Sequence, residues 1–149
     1  MKNNIFSEFI IMESEIDYTK YIPSQSKRLQ VYEKFYKLLK NTIDLKKYEE
    51  CENYKENDII KMALNLERGI FNYVLEKMCN KSQNIWDENF KTKYVNRCVT
   101  IYTNLNPDSY IKNCSLMKRL LSKQLDEFKL AYLSGSEIFP EKRTKFIMK

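Results

Sequence analysis

Only 2 glycines and 3 prolines occur among the 149 residues of this chain. Hairpins and tight loops depend on these two residue types, because they supply the backbone angles that sharp turns require. The chain therefore lacks the turns of a many-stranded sheet, and it favours long helices with short links. A hydrophobic fraction of 43% and an aromatic fraction of 13% supply the apolar area for a core and argue against disorder.

The clearest helical pattern begins near Trp86. Apolar residues then recur at spacings of four, four, three and four positions, namely Phe90, Tyr94, Cys98, Ile101 and Leu105. These spacings place them on one face of an α-helix. Pro107 cannot continue a helix and disfavours the helical conformation at Asn106, so this third helix is predicted to end there.

The same kind of pattern predicts four further helices and a simple domain organisation. Their bounds are about 27–46 (with Ser26 as the N-cap), 58–79, 115–121 and 124–133. The fold class is therefore all-α: a small helical bundle of three main helices plus short C-terminal helices. We expect residues 1–26 to form an N-terminal arm and residues 27–149 to form the bundle.

Local residue types predict further details of this bundle. Residues 47–57 are acidic and polar, which indicates a connecting loop or a helix end. Gly69 lies inside the second helix, where it costs about 1 kcal/mol relative to alanine, so we expect a close helix crossing there. Gly135 suits a left-handed helix end.

The residue types that most enzymes use are missing or separated. There is no histidine, and two glycines cannot form a phosphate-binding loop. The four cysteines (Cys51, Cys79, Cys98 and Cys114) form no C-x-x-C pair. We therefore expect no metal and no cofactor, with Cys79 and Cys98 as buried free thiols.

Paired carboxylates are the remaining candidates for catalysis. Asp87 and Glu88 are neighbours in the sequence, as are Asp126 and Glu127. Adjacent residues of a helix do not share a face, so we interpret both pairs as solvated helix surface. The sequence predicts no catalytic residue.

The formal net charge is +6, but no long run of lysine or arginine concentrates it. Contact with nucleic acid is therefore a secondary expectation. The apolar residues near the N-terminus, from Ile5 to Met12, form too short and interrupted a run to span a membrane. We expect an intracellular protein without a membrane segment, and the sequence does not distinguish nucleus, cytoplasmic viral factory and virion.

Three motifs in order resemble the central domain of the transcription elongation factor TFIIS. The third helix carries K-Y-V-N-R at 93–97 and N-L-N-P at 104–107. Residues 133–141 read L-S-G-S-E-I-F-P-E, one residue longer than the family pattern before the isoleucine. In the family an apolar helix precedes these motifs, and its counterpart in this chain contains Ala63, Leu66, Glu67, Ile70 and Phe71. The resemblance covers about residues 27–145.

This resemblance implies a helical bundle that docks on RNA polymerase through the large subunit, as a transcription factor or an associated subunit. It implies a partner-binding surface formed by Lys91, Lys93, Arg97 and Asn104. The first three lie off the apolar stripe, where they would face solvent or a partner. The family is often more basic after its Asn-Arg pair, where this chain has Val99 and Ile101. TFIIS-like proteins occur in large DNA viruses, so a viral version is one expectation.

The zinc ribbon of the family has no counterpart in this sequence, and neither has its N-terminal helical domain. The ribbon carries the acidic hairpin that promotes cleavage of backtracked RNA. We therefore expect the chain to bind polymerase without stimulating transcript cleavage on its own. The alternative is a helical structural or virion-associated interaction protein with no catalytic role.

Overall fold

A computed structural model describes residues 17–78 and 86–141. Within these ranges the chain forms five α-helices: α1 (Ser26–Asp44), α2 (Glu56–Met78), α3 (Glu88–Leu105), α4 (Ser115–Leu121) and α5 (Gly135–Ile138). Three short 3-10 helices accompany them: Tyr18–Tyr21, Glu49–Asn53 and Leu130–Tyr132. No strand occurs in these ranges, so the predicted all-α class is confirmed. None of these helices is long and apolar enough to cross a lipid bilayer.

Helix α2 is the centre of the bundle. It packs against α1, α3 and both the first and last 3-10 helices. An apolar stripe of α2 is buried over most of its length, as Ile59, Ala63, Leu66, Ile70 and Val74. An apolar stripe of this width lets one helix contact neighbours on two sides. The other helices are therefore arranged around α2.

Helix α1 begins one residue earlier than predicted, because its cap is a different residue. The Gln25 side chain, rather than that of Ser26, accepts a hydrogen bond from the Arg28 amide, at 2.8 Å. A side-chain oxygen at this position satisfies one of the free amides of the first turn. The helix ends at Asp44, and Lys46 follows with a φ of 53°. Its continuation to residue 46 was therefore predicted wrongly.

Helix α3 follows the prediction closely. All five stripe residues are buried, and the backbone leaves the helix at Asn106, which has a ψ of 108°. Asp87 accepts a hydrogen bond from the Phe90 amide at 2.8 Å, so the helix begins at Glu88. Trp86 precedes it, with its ring centroid 5.4 Å from that of Phe90 and 5.3 Å from that of Tyr94. Trp86 thus anchors the start of α3 to the core.

The predicted helix over residues 124–133 is wrong. The chain forms turns there, and only Leu130–Tyr132 are helical, as a 3-10 turn. Asp126 Oδ1 accepts a hydrogen bond from the Phe128 amide at 2.9 Å, a local contact that competes with helix formation. Leu130 and Ala131 are buried, whereas Phe128 and Tyr132 are 37% and 42% exposed.

The two glycines have different roles from those predicted. Gly69 does mark a close approach, but its neighbour is the turn at Phe128 rather than another helix. A Cβ atom at residue 69 would overlap the Phe128 carbonyl oxygen. Gly135 does not end a helix, because it is the first residue of α5 and its φ is not positive. Ser134 and Glu137 form a reciprocal capping box at this start.

The described part of the N-terminal arm and the acidic link each contain a 3-10 helix. Tyr18 packs against the core, with Lys61 Nζ 5.6 Å from its ring centroid. Residues 47–57 contain the 3-10 helix Glu49–Asn53, which buries Cys51. Cys98 is a buried free thiol, as predicted, and Cys114 is exposed. Cys79 and residues 1–16 of the arm lie outside the described residues.

Candidate functional site

Lys91 and Lys93 are both exposed on α3, but they face different sides of it. Residues two positions apart on a helix do not share a face. Lys93 lies beside a hollow between α2 and α3, whose other α3 residues are Asn96, Arg97 and Thr100. Lys91 lies one turn before Val95, which lines a groove on the α1 side. The predicted partner-binding surface is therefore divided. Lys93 and Arg97 line the hollow, whereas Lys91 lies on the side of the groove.

The hollow between α2 and α3 is basic. Its volume is about 410 Å³, and three cationic side chains line it: Lys77, Lys93 and Arg97. Lys77 lies in the last turn of α2. None of the three forms an ion pair with a carboxylate among the residues that the structure describes. We name Lys77, Lys93 and Arg97, with Tyr73, the basic hollow.

The aromatic ring of Tyr73 joins the cations of the basic hollow. The Arg97 guanidinium carbon lies 4.6 Å from its ring centroid, and Lys77 Nζ lies 5.6 Å from it. Both distances allow a cation–π attraction. The Tyr73 ring also meets that of Tyr132 edge-on, at 5.2 Å. These contacts hold the side chains of Lys77 and Arg97 beside Tyr73. Among the described residues, Lys93 is the cation of the basic hollow that contacts neither this ring nor a carboxylate.

Arg97 lines the basic hollow and also binds the protein backbone, while its contact with a partner stays a prediction. Its Nε donates to the Ala131 carbonyl oxygen at 2.9 Å, and its Nη2 donates to the Leu133 carbonyl oxygen at 2.8 Å. The guanidinium fork can reach two acceptors at once, which a lysine ammonium does less well. Arg97 therefore holds the Leu130–Tyr132 segment against α3 and is half-buried.

Asn104, the fourth predicted partner-binding residue, is only 8% exposed. It lies three residues after Ile101 and shares the buried face of α3. Its Nδ2 donates to the Thr100 carbonyl at 2.9 Å, and its Oδ1 accepts from Asn113 Nδ2 at 3.2 Å. A buried amide needs such partners. The side chain thus links α3 to the loop before α4, and little of it is open to a partner.

A buried ion pair joins Arg28 of α1 to Glu67 of α2 beside Tyr94, and the sequence analysis did not identify it. Glu67 is 1% exposed, and its carboxylate accepts hydrogen bonds from Arg28 Nε at 2.6 Å and Nη2 at 2.9 Å. Tyr94 donates its hydroxyl hydrogen to Glu67 Oε2 at 2.8 Å. The Arg28 guanidinium carbon lies 3.9 Å from the Phe71 ring centroid. The sequence does contain a signal for this pair, because Glu67 is a charged residue on the apolar face of α2.

These buried groups are unsuited to proton transfer or nucleophilic attack. Burial raises the pKa of the Tyr94 hydroxyl far above its ordinary value. Burial likewise raises the pKa of the Cys98 thiol to about 12, so the thiol stays protonated. Both oxygens of Glu67 are engaged by Arg28 and Tyr94. The Arg28–Glu67–Tyr94 cluster therefore stabilises the packing of α1, α2 and α3.

One carboxylate of each pair noted in the sequence binds a backbone amide. Asp87 caps α3, and Asp126 closes the turn at Phe128, which lies outside any α-helix. Glu127 Oε1 accepts a hydrogen bond from Asn65 Nδ2 at 2.9 Å. The interpretation of Asp126 and Glu127 as a solvated helix face was wrong. In residues 17–78 and 86–141, no three acidic or cysteine side chains are grouped closely enough to hold a metal ion.

Comparison with known proteins gives one result about the family. A family model described as "Transcription factor S-II (TFIIS), central domain" matches residues 23–149. Comparison with curated proteins and with solved structures gives no match. The matched range includes every α-helix described above and all of the basic hollow.

Proposed function

Because the chain belongs to the family of the TFIIS central domain, we propose that it binds RNA polymerase as a transcription elongation factor or an associated subunit. The central domain of this family is a polymerase-binding domain and is not itself catalytic. The contact that we propose is with the polymerase large subunit. Such a role places the protein where its polymerase works, in the nucleus or, for a viral enzyme, in a cytoplasmic factory or the virion.

We infer that the basic hollow is the main contact. Lys77 and Lys93 are exposed at its edges, and neither has an ion-pair partner among the described residues. An acidic polymerase surface would supply the missing carboxylates without breaking an existing salt bridge. Lys91 is exposed on the other side of α3 and would contact a partner only if the partner spans that helix. Arg97 lines the hollow and is held in place there by the carbonyl oxygens of Ala131 and Leu133.

The test is a binding measurement between purified polymerase and the double variant Lys77→Glu/Lys93→Glu. We expect binding to weaken by about tenfold or more, which corresponds to ~1.4 kcal/mol. Arg97 stays unchanged, since its replacement would release the Leu130–Tyr132 segment. The matched control is Lys37→Glu/Lys129→Glu, which changes the charge equally at two exposed lysines outside the hollow. An equal loss in both variants, or no loss in either, would contradict this assignment of the contact.

The same measurement separates a protein contact from a nucleic-acid contact. Binding through phosphates weakens steeply as salt is raised, with a slope set by the number of phosphates neutralised. We expect the chain to bind polymerase that is free of nucleic acid. Binding that appears only when a DNA–RNA scaffold is added would identify the nucleic acid as the partner instead.

We also propose that the described part of the chain has no transcript-cleavage activity. Cleavage by this route requires carboxylates placed beside the polymerase metal ion, where they can orient a metal and a water molecule. Asp87, Asp126 and Glu127 are held in backbone caps and turns, or against Asn65. A backtracked complex with the chain in excess should release no short 3′ fragments. Release that Asp126→Asn/Glu127→Gln abolishes would overturn this proposal.

A further inference from the structure

An apolar groove lies between α1 and α3, on the side of α3 away from the basic hollow. Its volume is about 200 Å³, and its apolar lining consists of Val31, Phe35, Val95, Cys98, Val99 and Tyr102. Val99 is 54% exposed, although it belongs to one of the three main helices. Val95 and Tyr102 are half-buried, so the groove has an apolar opening that the described fold does not cover.

The size and the charge of the groove define what it can bind. An apolar cavity of roughly 150 Å³ can hold a benzene molecule, so this groove can take one phenylalanine ring. Lys27 and Lys34 lie at its edges. Lys27 Nζ donates to Gln30 Oε1 at 3.2 Å, and neither lysine forms an ion pair in the ranges that the structure covers. A complementary occupant is an apolar segment with an aromatic ring and neighbouring carboxylates.

We propose that residues 1–16 of this chain occupy the groove, with the ring of Phe6 or Phe9 inserted between α1 and α3. This segment contains one lysine and three glutamates, so its side chains carry a net charge of −2. Glu8 is adjacent to Phe9, where its carboxylate can meet Lys27 or Lys34. Its apolar residues and its charge both complement the groove.

The connection to the bundle makes this contact feasible. The segment joins the described chain at Asp17, and α1, whose first turn lines the groove, begins nine residues later at Ser26. Sixteen extended residues reach up to about 50 Å, so length does not limit the contact. Tethering over a short linker gives an effective concentration in the millimolar range, so even a weak contact is populated. The occupant therefore need not bind tightly.

The experiment measures paramagnetic broadening in the full chain. A nitroxide is attached through Ser7→Cys, with Cys79→Ser and Cys114→Ser to remove competing thiols. We expect the methyl signals of Val95 and Val99 to lose intensity and to recover when the nitroxide is reduced. The methyl signals of Leu133, on the opposite side of α3, should keep their intensity. An unchanged Val99 signal, or stronger loss at Leu133, would overturn the proposal.

Variants test the chemistry of the contact. Val99→Glu adds a charge at an exposed position and should abolish the broadening, while Lys34→Glu should reduce it. Lys129→Glu makes the same charge change beside Gly69 and Tyr132, outside the groove, and should have no effect. Phe6→Ser and Phe9→Ser identify the inserted ring, and an effect from neither would contradict its role.

The remaining occupant is a second copy of the chain. A mixture of spin-labelled chains with isotope-labelled chains that carry no spin label tests this directly. Broadening at Val99 in that mixture would show binding between copies and would contradict binding within one chain. These measurements contain no polymerase, so a negative result would not contradict the proposed polymerase binding.

Discussion

Glu67 is the residue through which the three main helices are held together. It lies on α2 and binds Arg28 of α1 and Tyr94 of α3. A buried carboxylate is tolerated only when its charge and its lone pairs are matched, and Glu67 meets both conditions. The residues that carry the family resemblance are thus largely packing residues: Glu67, Tyr94, Arg97 and Asn104 all bind other parts of the fold.

The first prediction concerns the Arg28–Glu67–Tyr94 cluster. Glu67→Gln should lower the free energy of unfolding by about 3 kcal/mol, because it leaves Arg28 without its counter-charge. Arg28 is 21% exposed, so the cost should lie at the lower end for a broken buried pair. Tyr94→Phe removes one hydrogen bond but keeps the ion pair, and should cost about 1.5 kcal/mol.

Urea unfolding of both variants measures these costs. The informative result is which variant loses more free energy of unfolding, since both remove an interaction of the same carboxylate. If Tyr94→Phe proves as destabilising as Glu67→Gln, the ion pair contributes less than this structure indicates.

Among the elements, α2 and the turn over residues 122–129 approach each other closely at Gly69. The backbone of Phe128 lies directly against Gly69, and no side chain separates them. This approach positions the Leu130–Tyr132 segment, which Arg97 then binds from α3. The position of Tyr132, whose ring meets that of Tyr73 in the basic hollow, therefore depends on a glycine of α2.

The second prediction tests this approach. Alanine at a helix interior normally stabilises by about 1 kcal/mol relative to glycine. Gly69→Ala should instead destabilise by about 1–2 kcal/mol, because its methyl group overlaps a backbone that cannot rotate away. Gly135→Ala is the control, since a Cβ there has no neighbour within 4 Å. It should be neutral or slightly stabilising.

Thermal unfolding followed by circular dichroism compares the two glycine variants. Hydrogen exchange at Leu130 and Tyr132 adds a local measurement and should accelerate in Gly69→Ala only. An increase in melting temperature for Gly69→Ala would mean that the turn lies farther from α2.

On the scale of the whole molecule, exposed salt bridges connect elements that are distant in sequence. Glu50 pairs with Lys118 of α4, Glu56 pairs with Lys40 of α1, and Asp108 pairs with Lys47. Hydrogen bonds lower the pKa of each carboxyl: from Lys118 at Glu50, mainly from Tyr36 at Glu56, and from Lys47 at Asp108. Each exposed pair contributes little, but all respond to acid in the same direction.

The third prediction is therefore a loss of stability in acid. Because these carboxyls have lower pKa values in the folded chain than in the unfolded chain, their stabilisation is complete above the unfolded values. It is lost as the pH falls through the folded values. The melting temperature should decline once the pH passes below the ordinary values of 4.5 for Glu and 3.8 for Asp.

Melting curves at constant ionic strength test this prediction. Lys118→Met removes one partner and should make the decline shallower. A melting temperature that is constant down to pH 3, or that falls already above pH 6, would show that other groups govern the acid response.

The sequence by itself determined the fold class and the main helices. The stripes of α2 and α3, the bounds of α4 and the end of α3 before Pro107 all follow from contacts within a few residues. Such contacts leave a period in the sequence, because the same helix face must stay apolar along its length. The family-like motifs could be read for the same reason, since each is a local run.

Only the tertiary structure decided which polar residues of those motifs are open to a partner. Arg97 and Ala131 are 34 positions apart, and Arg28 and Glu67 are 39 positions apart. No local pattern in the sequence indicates such pairings. Arg97 and Asn104 were therefore predicted as partner-binding residues, and Lys77 was not. The path of residues 122–133 was decided in the same way, because burial of Leu130 and Ala131 against α2 outweighed a weak helical pattern. Long-range packing, which has no period along the chain, thus fixed the shape of the basic hollow.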